Sequence, residues 1–387
     1  MFYIFTFFSF LLPFIESNTL QDLEMLYSDE SGSCFESLYL GDSKMRTQFR
    51  VTLQSPYNYI PLSSAAHHTG IKPLKENTTL SINNESLLGN KAKVNVCLSM
   101  SKFCIDDLHF YLINSTKHNK IYETLSFSLS SIDDNFSILH RLTKNNIMKV
   151  KKVSFVPFSI ALGRVIFDDL PKGYINNKYA YPCQSYNNNW GCQLNKVIIG
   201  NNTKEYINKD IALFDTLDKY IYVPTEFFSF FEQKVINKNI ENKSCWLIRE
   251  PEYNEQHYDC DCKELKDFQE INFVFGNIIF PMSTYLLFDY DGKGCESLIY
   301  NKYSNDNLKK EDKWIFGTRF IHSFQSTFDF DRKMITFYTK EKLNEISYDN
   351  RQKVEYVLKC NFAILVIGGI ICFVLYKVCF KRSFIFN

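Results

Sequence analysis

The sequence has no excess of either charge, because its 387 residues include 44 Lys and Arg against 43 Asp and Glu. This balance excludes both a polycation that binds nucleic acid and an acidic, solvated chain, so we expect no nucleic-acid partner. The sequence also lacks a glycine-rich phosphate loop, an HExxH motif and a Gly-x-Ser-x-Gly turn. Nucleotide-dependent enzymes, zinc proteases and serine hydrolases therefore have no support.

A metal-binding motif is missing as well. The Cys-Asp-Cys at 260–262 has no second cysteine pair or histidine cluster at ligand spacing, so a disulfide role is favoured. We therefore expect no metal and no organic cofactor. The ten cysteines between residues 34 and 360 are typical of an oxidising compartment. Close spacing predicts two local disulfides, Cys97–Cys104 and Cys183–Cys192.

Both ends of the chain are apolar. Residues 1–17 are typical of a signal peptide, although no Lys or Arg precedes the apolar run. An uncleaved membrane anchor is disfavoured, because a transmembrane helix needs about 20 apolar residues. Residues 361–380 read as a transmembrane helix after a juxtamembrane linker at 346–360. The basic residues around the end of this span, with Lys381 and Arg382 in the tail at 381–387, place the tail in the cytoplasm. They also argue against a GPI signal, which ends in an apolar tail.

This topology predicts a single-pass type I membrane protein whose bulk is luminal or extracellular. Glycosylation sequons agree with that prediction, since six lie between the two apolar ends. Their acceptor residues are Asn77, Asn84, Asn114, Asn135, Asn201 and Asn242.

The region between the two ends has a strand pattern. Short β-branched and aromatic runs, several of them alternating with period two, are separated by Asn, Asp, Gly and Ser clusters. The runs are QFRVTLQ, KVNVCL, VSFVPFSIAL, NKVIIG, KYIYVP, INFVFGNIIF and STFDFDRKMITFYT. Helical stretches are few, at 136–144 and 225–235. The pattern predicts an all-β bilobal or sandwich fold.

One segment indicates more than the fold class, because it carries a recognisable active-site pattern. Residues 212–230, ALFDTLDKYIYVPTEFFSF, resemble the second active-site segment of pepsin-like aspartic peptidases, in which an Asp-Thr-Gly turn leads through a strand to a proline nine residues after the Asp. Asp215, Thr216 and Pro224 keep this pattern, whereas Leu217 stands in the place of the glycine. The two residues that follow, Asp218 and Lys219, also depart from it.

Flanking segments resemble the same family in chain order. Upstream, LYLGDSKMRTQFRVTL at 38–53 is similar to the first strand pair, 136–162 to the N-lobe helix and the strand after it, and 187–200 to the Trp-bearing strand that opens the C-lobe. Downstream, 260–288 resembles the Cys, hairpin and Tyr of the C-lobe, and 314–339 the closing element with Gly317. The resemblance implies a bilobal pepsin-like fold with lobes at 18–180 and 181–345, in a memapsin-like layout with a membrane anchor. It also implies that Cys295 pairs with Cys260 or Cys262.

The chemistry of this family needs two carboxylates, one from each lobe, that share a proton and hold the attacking water. Asp215 is the C-lobe carboxylate, but no Asp or Glu occurs between residues 43 and 75. Counting on from Gln48 and Phe49 puts Gln54 at the N-lobe acid position, whereas counting nine residues back from Pro61 puts Thr52 there. Neither side chain is a base near neutral or acid pH.

Next to this degenerate position, we expect Ser55 to hydrogen-bond across to Thr216 and hold the lobes together. Leu217 is expected to crowd the cleft, where the family keeps a glycine, while Gly317 keeps its place. The sequence thus predicts a monomeric, catalytically inactive homologue whose interlobe cleft binds extended polypeptide. The alternative is an active aspartic endopeptidase of an acidic secretory or endolysosomal compartment, which needs an acid from elsewhere in the fold to face Asp215.

Overall fold

The computed structural model is dominated by β-strands. It describes residues 23–27, 33–82, 85–99, 103–114, 122–130, 133–157, 162–170, 179–200, 202–205, 210–237, 241–242, 244–251, 254–263, 265, 268–290, 294–302 and 313–339. The predicted signal peptide, linker, transmembrane helix and tail lie outside these ranges. Within them, no helix combines the length and the apolar character that crossing a bilayer requires.

The strands of the first half of the chain are β1 Leu23–Tyr27, β2 Cys34–Leu40, β3 Met45–Thr52, β4 Tyr59–Pro61, β5 Lys72–Ile82, β6 Glu85–Cys97, β7 Cys104–Ile113, β8 Thr124–Ser126, β9 Lys152–Pro157 and β10 Leu162–Phe167. Those of the second half are β11 Tyr179–Gln184, β12 Gly191–Gln193, β13 Lys196–Ile199, β14 Asn202–Glu205, β15 Ile211–Phe214, β16 Ile221–Tyr222, β17 Cys245–Glu250, β18 Glu255–Cys260, β19 Ile271–Phe275, β20 Ile278–Met282, β21 Phe288–Tyr290, β22 Cys295–Ser297, β23 Ile299–Lys302, β24 Trp314–Phe316, β25 Gln325–Asp329 and β26 Met334–Thr339. Every run that the sequence predicted as a strand contains one.

The helices are short. They are α1 Leu62–Ala65, α2 Ile138–Lys144, α3 Thr225–Phe231, α4 Thr284–Leu287 and α5 Thr318–Ser323, with a 3₁₀ turn at Asp134–Phe136 and a π-helical continuation of α3 at Glu232–Ile236. The helix α2 begins where the Ser137 side chain accepts a hydrogen bond from the His140 N–H at 3.2 Å, which satisfies one of the free donors of a helix N-terminus. Both helical stretches predicted from the sequence are helical.

One sheet connects the two halves of the chain. In the described residues it has 13 strands in the order β11-β26-β25-β9-β10-β1-β2-β3-β8-β4-β7-β6-β5. The junction is the antiparallel pair of β9 and β25, in which Phe155 lies opposite Ser326. The described residues fall in one compact unit. The predicted all-β bilobal fold is confirmed, whereas the lobe boundary at 180/181 stays a prediction; β10 ends at Phe167 and β11 begins at Tyr179.

The two lobes repeat one arrangement of four strands. In the N-lobe β3 runs parallel to β8, while β4 runs antiparallel to β8 and parallel to β7. In the C-lobe β15, β24, β16 and β23 pair in the same way. Tyr59 lies opposite Tyr111 in one lobe, as Tyr222 lies opposite Tyr300 in the other. The repeat gives each residue of the N-lobe loop after β3 an equivalent in the C-lobe loop after β15.

Period-two alternation places one face of each strand in the core. In β26, Ile335, Phe337 and Thr339 are buried while the residues between them are half-buried. An aromatic cluster fills the centre of the C-lobe, where the ring of Phe214 lies 4.7 Å from that of Phe337 and 5.8 Å from that of Phe320. Such pairs add packing energy beyond the area they bury.

Four disulfides join cysteines of the described residues. Cys97–Cys104 and Cys183–Cys192 form as close spacing predicted. Of the two partners that the resemblance allowed for Cys295, the structure selects Cys262, because Cys260 is bonded to Cys245 across the β17–β18 pair.

Candidate functional site

The loop after β15 carries the acid that the sequence singled out. Asp215 follows Phe214, the last residue of the strand, and its N–H donates to the Phe316 carbonyl on β24 at 3.0 Å. This bond extends the β15–β24 ladder by one residue and fixes where the acid emerges from the sheet. The side chain of Asp215 is partly buried.

Gly317 lies directly beneath this loop. Its N–H donates to the Tyr220 carbonyl at 2.9 Å, and the next N–H, of Thr318, donates to the Asp218 carbonyl at 2.7 Å. A Cβ on Gly317 would lie 2.4 Å from the Tyr220 oxygen and 2.5 Å from the Asp218 oxygen, so no side chain fits. The glycine therefore allows the loop to fold back onto the end of β24.

One oxygen of Asp215 accepts three hydrogen bonds. Oδ1 accepts from its neighbour's N–H, that of Thr216, at 2.7 Å. It also accepts from the Leu53 N–H and the Thr52 hydroxyl of the N-lobe, each at 3.2 Å. Burial raises the pKa of Asp215, and these three hydrogen bonds oppose the rise because they favour the ionised carboxylate.

The structure places Thr52, and not Gln54, opposite Asp215. Tyr59 and Tyr222 are equivalent in the repeat and follow Thr52 and Asp215 by the same seven residues. The prediction of Gln54 is therefore corrected to the alternative count from Pro61. The physical reason is that β3 pairs with β8 up to Thr52 and Ser126, which leaves Gln54 two residues out in the loop.

Gln54 instead reaches across to the other lobe. Its side-chain amide donates to the Phe214 carbonyl at 2.7 Å and to the Trp190 carbonyl at 3.1 Å. In the opposite direction, the Thr216 hydroxyl of the C-lobe loop donates to the Val51 carbonyl at 2.6 Å. Val51 directly precedes Thr52, and Phe214 directly precedes Asp215. Each loop therefore donates a hydrogen bond to the equivalent carbonyl of the other lobe.

Ser55 is not the lobe contact that we expected. Its N–H donates to Thr52 Oγ1 at 3.1 Å, and its carbonyl accepts from the Ser126 hydroxyl, so both bonds stay inside the N-lobe. Thr216 does join the lobes, but through Val51. Ser55 lies in a turn closed by Thr52, three residues before it, which holds it on its own side.

A second acid lies on the same loop as Asp215. The Asp218 carboxylate accepts from the Tyr220 N–H at 3.0 Å and from the Tyr222 hydroxyl at 3.4 Å. Burial raises the pKa of Asp218 to about 7, and the negative charge of Asp215 contributes to the rise. Sequence analysis placed Asp218 only in the loop, because the burial that raises its pKa arises when the lobe folds.

Lys219, the next residue, forms its ion pairs with acids other than Asp218. Its Nζ lies 2.6 Å from Asp289 and 3.4 Å from Glu296, and the Arg319 guanidinium lies 2.9 Å from Asp289. The ammonium group is buried together with Arg319. Two cations and two carboxylates thus form one network on the C-lobe beside the loop.

Within the described residues, no second carboxyl donates to or accepts from Asp215. Leu217 is partly exposed, and its carbonyl accepts from the Ser33 hydroxyl at 2.5 Å. The Cys97–Cys104 disulfide joins the end of β6 to the start of β7. The described side chains include no group of three or more metal-ligating residues.

The predicted glycosylation acceptors differ in their exposure. Asn77, Asn114 and Asn242 are exposed, whereas Asn135 is half-buried and its amide donates to Asp133 at 3.0 Å. Asn84 and Asn201 lie outside the described residues.

The chain is similar to a known protein family. A family model for eukaryotic aspartyl proteases matches residues 124–340, more than half of the chain. The matched region includes Asp215 and Gly317 and begins after Thr52 and Gln54. No curated protein matches the chain.

Proposed function

Because the chain belongs to the eukaryotic aspartyl protease family, we propose that it is a non-proteolytic member whose interlobe cleft binds extended polypeptide. A single observation carries the proposal, namely that Thr52 occupies the place that faces Asp215. Peptide hydrolysis by this family needs one carboxyl group to act as base while its partner acts as acid. A threonine hydroxyl does neither at the pH at which carboxylates titrate.

The hydrogen bonding of Asp215 supports the same proposal. Two of the three donors to Oδ1 come from the opposite lobe, from Thr52 and Leu53. The Thr52 hydroxyl thus donates to the retained acid, where a working dyad would place a second carboxyl that shares a proton with it.

Binding does not require the missing acid. A groove between two lobes binds an extended peptide through main-chain hydrogen bonds and through pockets for alternate side chains.

We further propose that the protein is a monomer, anchored by a single type I span, with the lobes on the luminal or extracellular side. The apolar segment at 361–380 and the sequons support this placement.

One observation favours the alternative, an active aspartic endopeptidase of an acidic compartment. Asp218 lies on the Asp215 loop and has a pKa of about 7, so a second protonatable carboxyl stands near the first. Its carboxylate, however, accepts from Tyr220 and Tyr222 of its own lobe. In a working dyad the second carboxylate comes from the other lobe, which is why we prefer the non-proteolytic function.

A peptide library separates the two functions. The full-length protein, wild type or Asp218→Asn, is incubated with unstructured peptides at pH 4 and pH 7, and bound and free peptides are read by mass spectrometry. The proposal predicts peptides retained intact and released by pepstatin, which competes for the cleft. Fragments whose formation is blocked by pepstatin and lost in Asp218→Asn would establish the alternative, and no retention at either pH would contradict polypeptide binding.

A further inference from the structure

The strand β3 is paired along one edge but only at the end of the other. On the first edge, β2 pairs with β3 from Met45 to Arg50. On the second edge, β8 begins opposite Arg50, whose N–H donates to the Glu123 carbonyl at 2.8 Å. Among the strands of the described residues, none pairs with residues 45–49 on this second edge. This part of β3 is therefore an open strand edge.

The main-chain groups of Arg46 and Gln48 point to this open edge. Along a strand, the N–H and C=O groups of successive residues alternate between the two edges, so residues two apart face the same way. Arg50 faces β8, and Gln48 and Arg46 precede it by two and four residues. Two N–H donors and two carbonyl acceptors thus lie where a further strand would pair.

An open cavity of about 510 Å³ lies at the same place. It is lined by Arg46, Thr47, Gln48 and Glu123. Arg46 and Gln48 are exposed, whereas Thr47 and Glu123 are half-buried. Cavities of roughly 300–1,000 Å³ are typical of ligand sites, so this one has room for side chains of a peptide that pairs with the edge.

The charge that this cavity leaves unsatisfied is positive. The Arg46 guanidinium makes no hydrogen bond or ion pair with any described residue. Glu123 already accepts a hydrogen bond from the Ser64 hydroxyl, and Thr47 Oγ1 lies 3.3 Å from His68 Nε2. A guanidinium binds a carboxylate through two parallel N–H donors. The cavity is therefore complementary to an acidic side chain.

We propose that the open edge of β3 at Arg46 and Gln48 binds an extended, acidic segment of a partner polypeptide as an added strand. The main chain of the segment pairs with these two residues, and an Asp or Glu side chain enters the cavity and binds the Arg46 guanidinium. In strand addition, main-chain hydrogen bonds supply affinity and the pocket beside the edge supplies specificity. The site lies outside the groups that face Asp215, since Gln48 precedes Thr52 by four residues, about 13 Å along the strand.

The test measures binding of labelled peptides to the full-length protein by fluorescence anisotropy. Three peptides, blocked at both ends, share the sequence Thr-Val-X-Val-Thr and carry Glu, Gln or Lys at X. The variant Arg46→Glu reverses the charge in the cavity, and Gln48→Pro removes an N–H that faces the open edge while those that face β2 remain. Lys149→Glu, the same reversal at an exposed cation before β9, is the control.

Wild type and Lys149→Glu should bind the Glu peptide at least about tenfold more tightly than the Lys peptide, equivalent to about 1.4 kcal/mol, with the Gln peptide between them. Arg46→Glu should reverse this order, and Gln48→Pro should weaken binding of all three peptides. Pepstatin, which competes for the cleft, should leave the differences unchanged.

Equal or absent binding of the three peptides to wild type would overturn the proposal, as would an unchanged order in Arg46→Glu. Loss of the differences in pepstatin would also overturn it, because the peptides would then lie in the cleft; that result would leave the proposed cleft function standing. Where Gln48→Pro does not fold, the order of the peptides in Arg46→Glu decides alone.

Discussion

Replacing Asp218 by Asn should remove a pH dependence from the stability of the protein. The pKa of this carboxyl lies near 3.8 in an unfolded chain and at about 7 in the folded protein, where burial and the charge of Asp215 disfavour ionisation. Between these two values the folded state binds more protons than the unfolded state, so the free energy of unfolding falls as the pH rises. The contribution of Asp218 is complete below about pH 4 and lost above about pH 7.

The magnitude follows from the interval between the two pKa values. At about 1.4 kcal/mol per pH unit, the loss between pH 4 and pH 7 amounts to about 4 kcal/mol. Asp218 is partly exposed, and solvent screening reduces the expected loss to roughly 2–4 kcal/mol. Asparagine keeps the shape and an acceptor oxygen for the Tyr220 N–H, but it does not titrate.

The assay is denaturant unfolding of the full-length protein at pH 4, 5, 6, 7 and 8, followed by tryptophan fluorescence. Trp190 and Trp314 are buried and report the loss of the core. The difference in unfolding free energy between Asp218→Asn and wild type should shift in favour of the variant by roughly 2–4 kcal/mol from pH 4 to pH 7. Asp106→Asn, at an exposed acid, is the control and should show no such shift. A difference that stays constant over this range would refute the reasoning.

Three further substitutions test the site. Gly317→Ala should destabilise the protein by more than about 2 kcal/mol, because the added Cβ meets backbone oxygens. The control Gly294→Ala should change stability little, since the nearest atom to its added Cβ would lie at 3.6 Å. Equal losses of stability in thermal unfolding of the two variants would contradict this. Lys219→Met should cost about 3 kcal/mol in chemical denaturation, because it removes the cation that pairs with Glu296 and leaves Asp289 with Arg319 alone. Lys204→Met, at an exposed pair, should cost less than about 1 kcal/mol. Thr52→Asp should create pepstatin-sensitive cleavage of denatured protein below about pH 5, because it returns a second carboxyl to the partner of the retained acid; absence of cleavage from the folded variant would show that more than this residue separates the chain from activity.

The fold was largely predictable from local pattern. Period-two alternation in runs such as INFVFGNIIF marks a strand because a half-buried strand needs it, and the hairpin β19–β20 forms there. The nine-residue spacing from Asp215 to Pro224 was also enough to find the C-lobe loop, since both residues lie at the ends of one loop and strand unit.

The site was less predictable, because it depends on contacts between distant segments. Sequence anchors on either side of Thr52 gave counts that differed by two residues, and only the pairing of β3 with β8 decides between them. Gln54 acquires its role from carbonyls 136 and 160 residues further along the chain. The raised pKa of Asp218 likewise comes from burial in the folded lobe, which no local pattern encodes.

The central claim, that this family member does not hydrolyse peptides, is tested most directly by incubating the purified full-length protein with a denatured protein mixture from pH 3 to pH 7. Wild type and Asp215→Ala are compared with and without pepstatin, after both are shown to be folded. The account predicts no cleavage by either protein at any pH. Pepstatin-sensitive cleavage by wild type that is lost in Asp215→Ala would contradict it and would mean that a second acid serves this site.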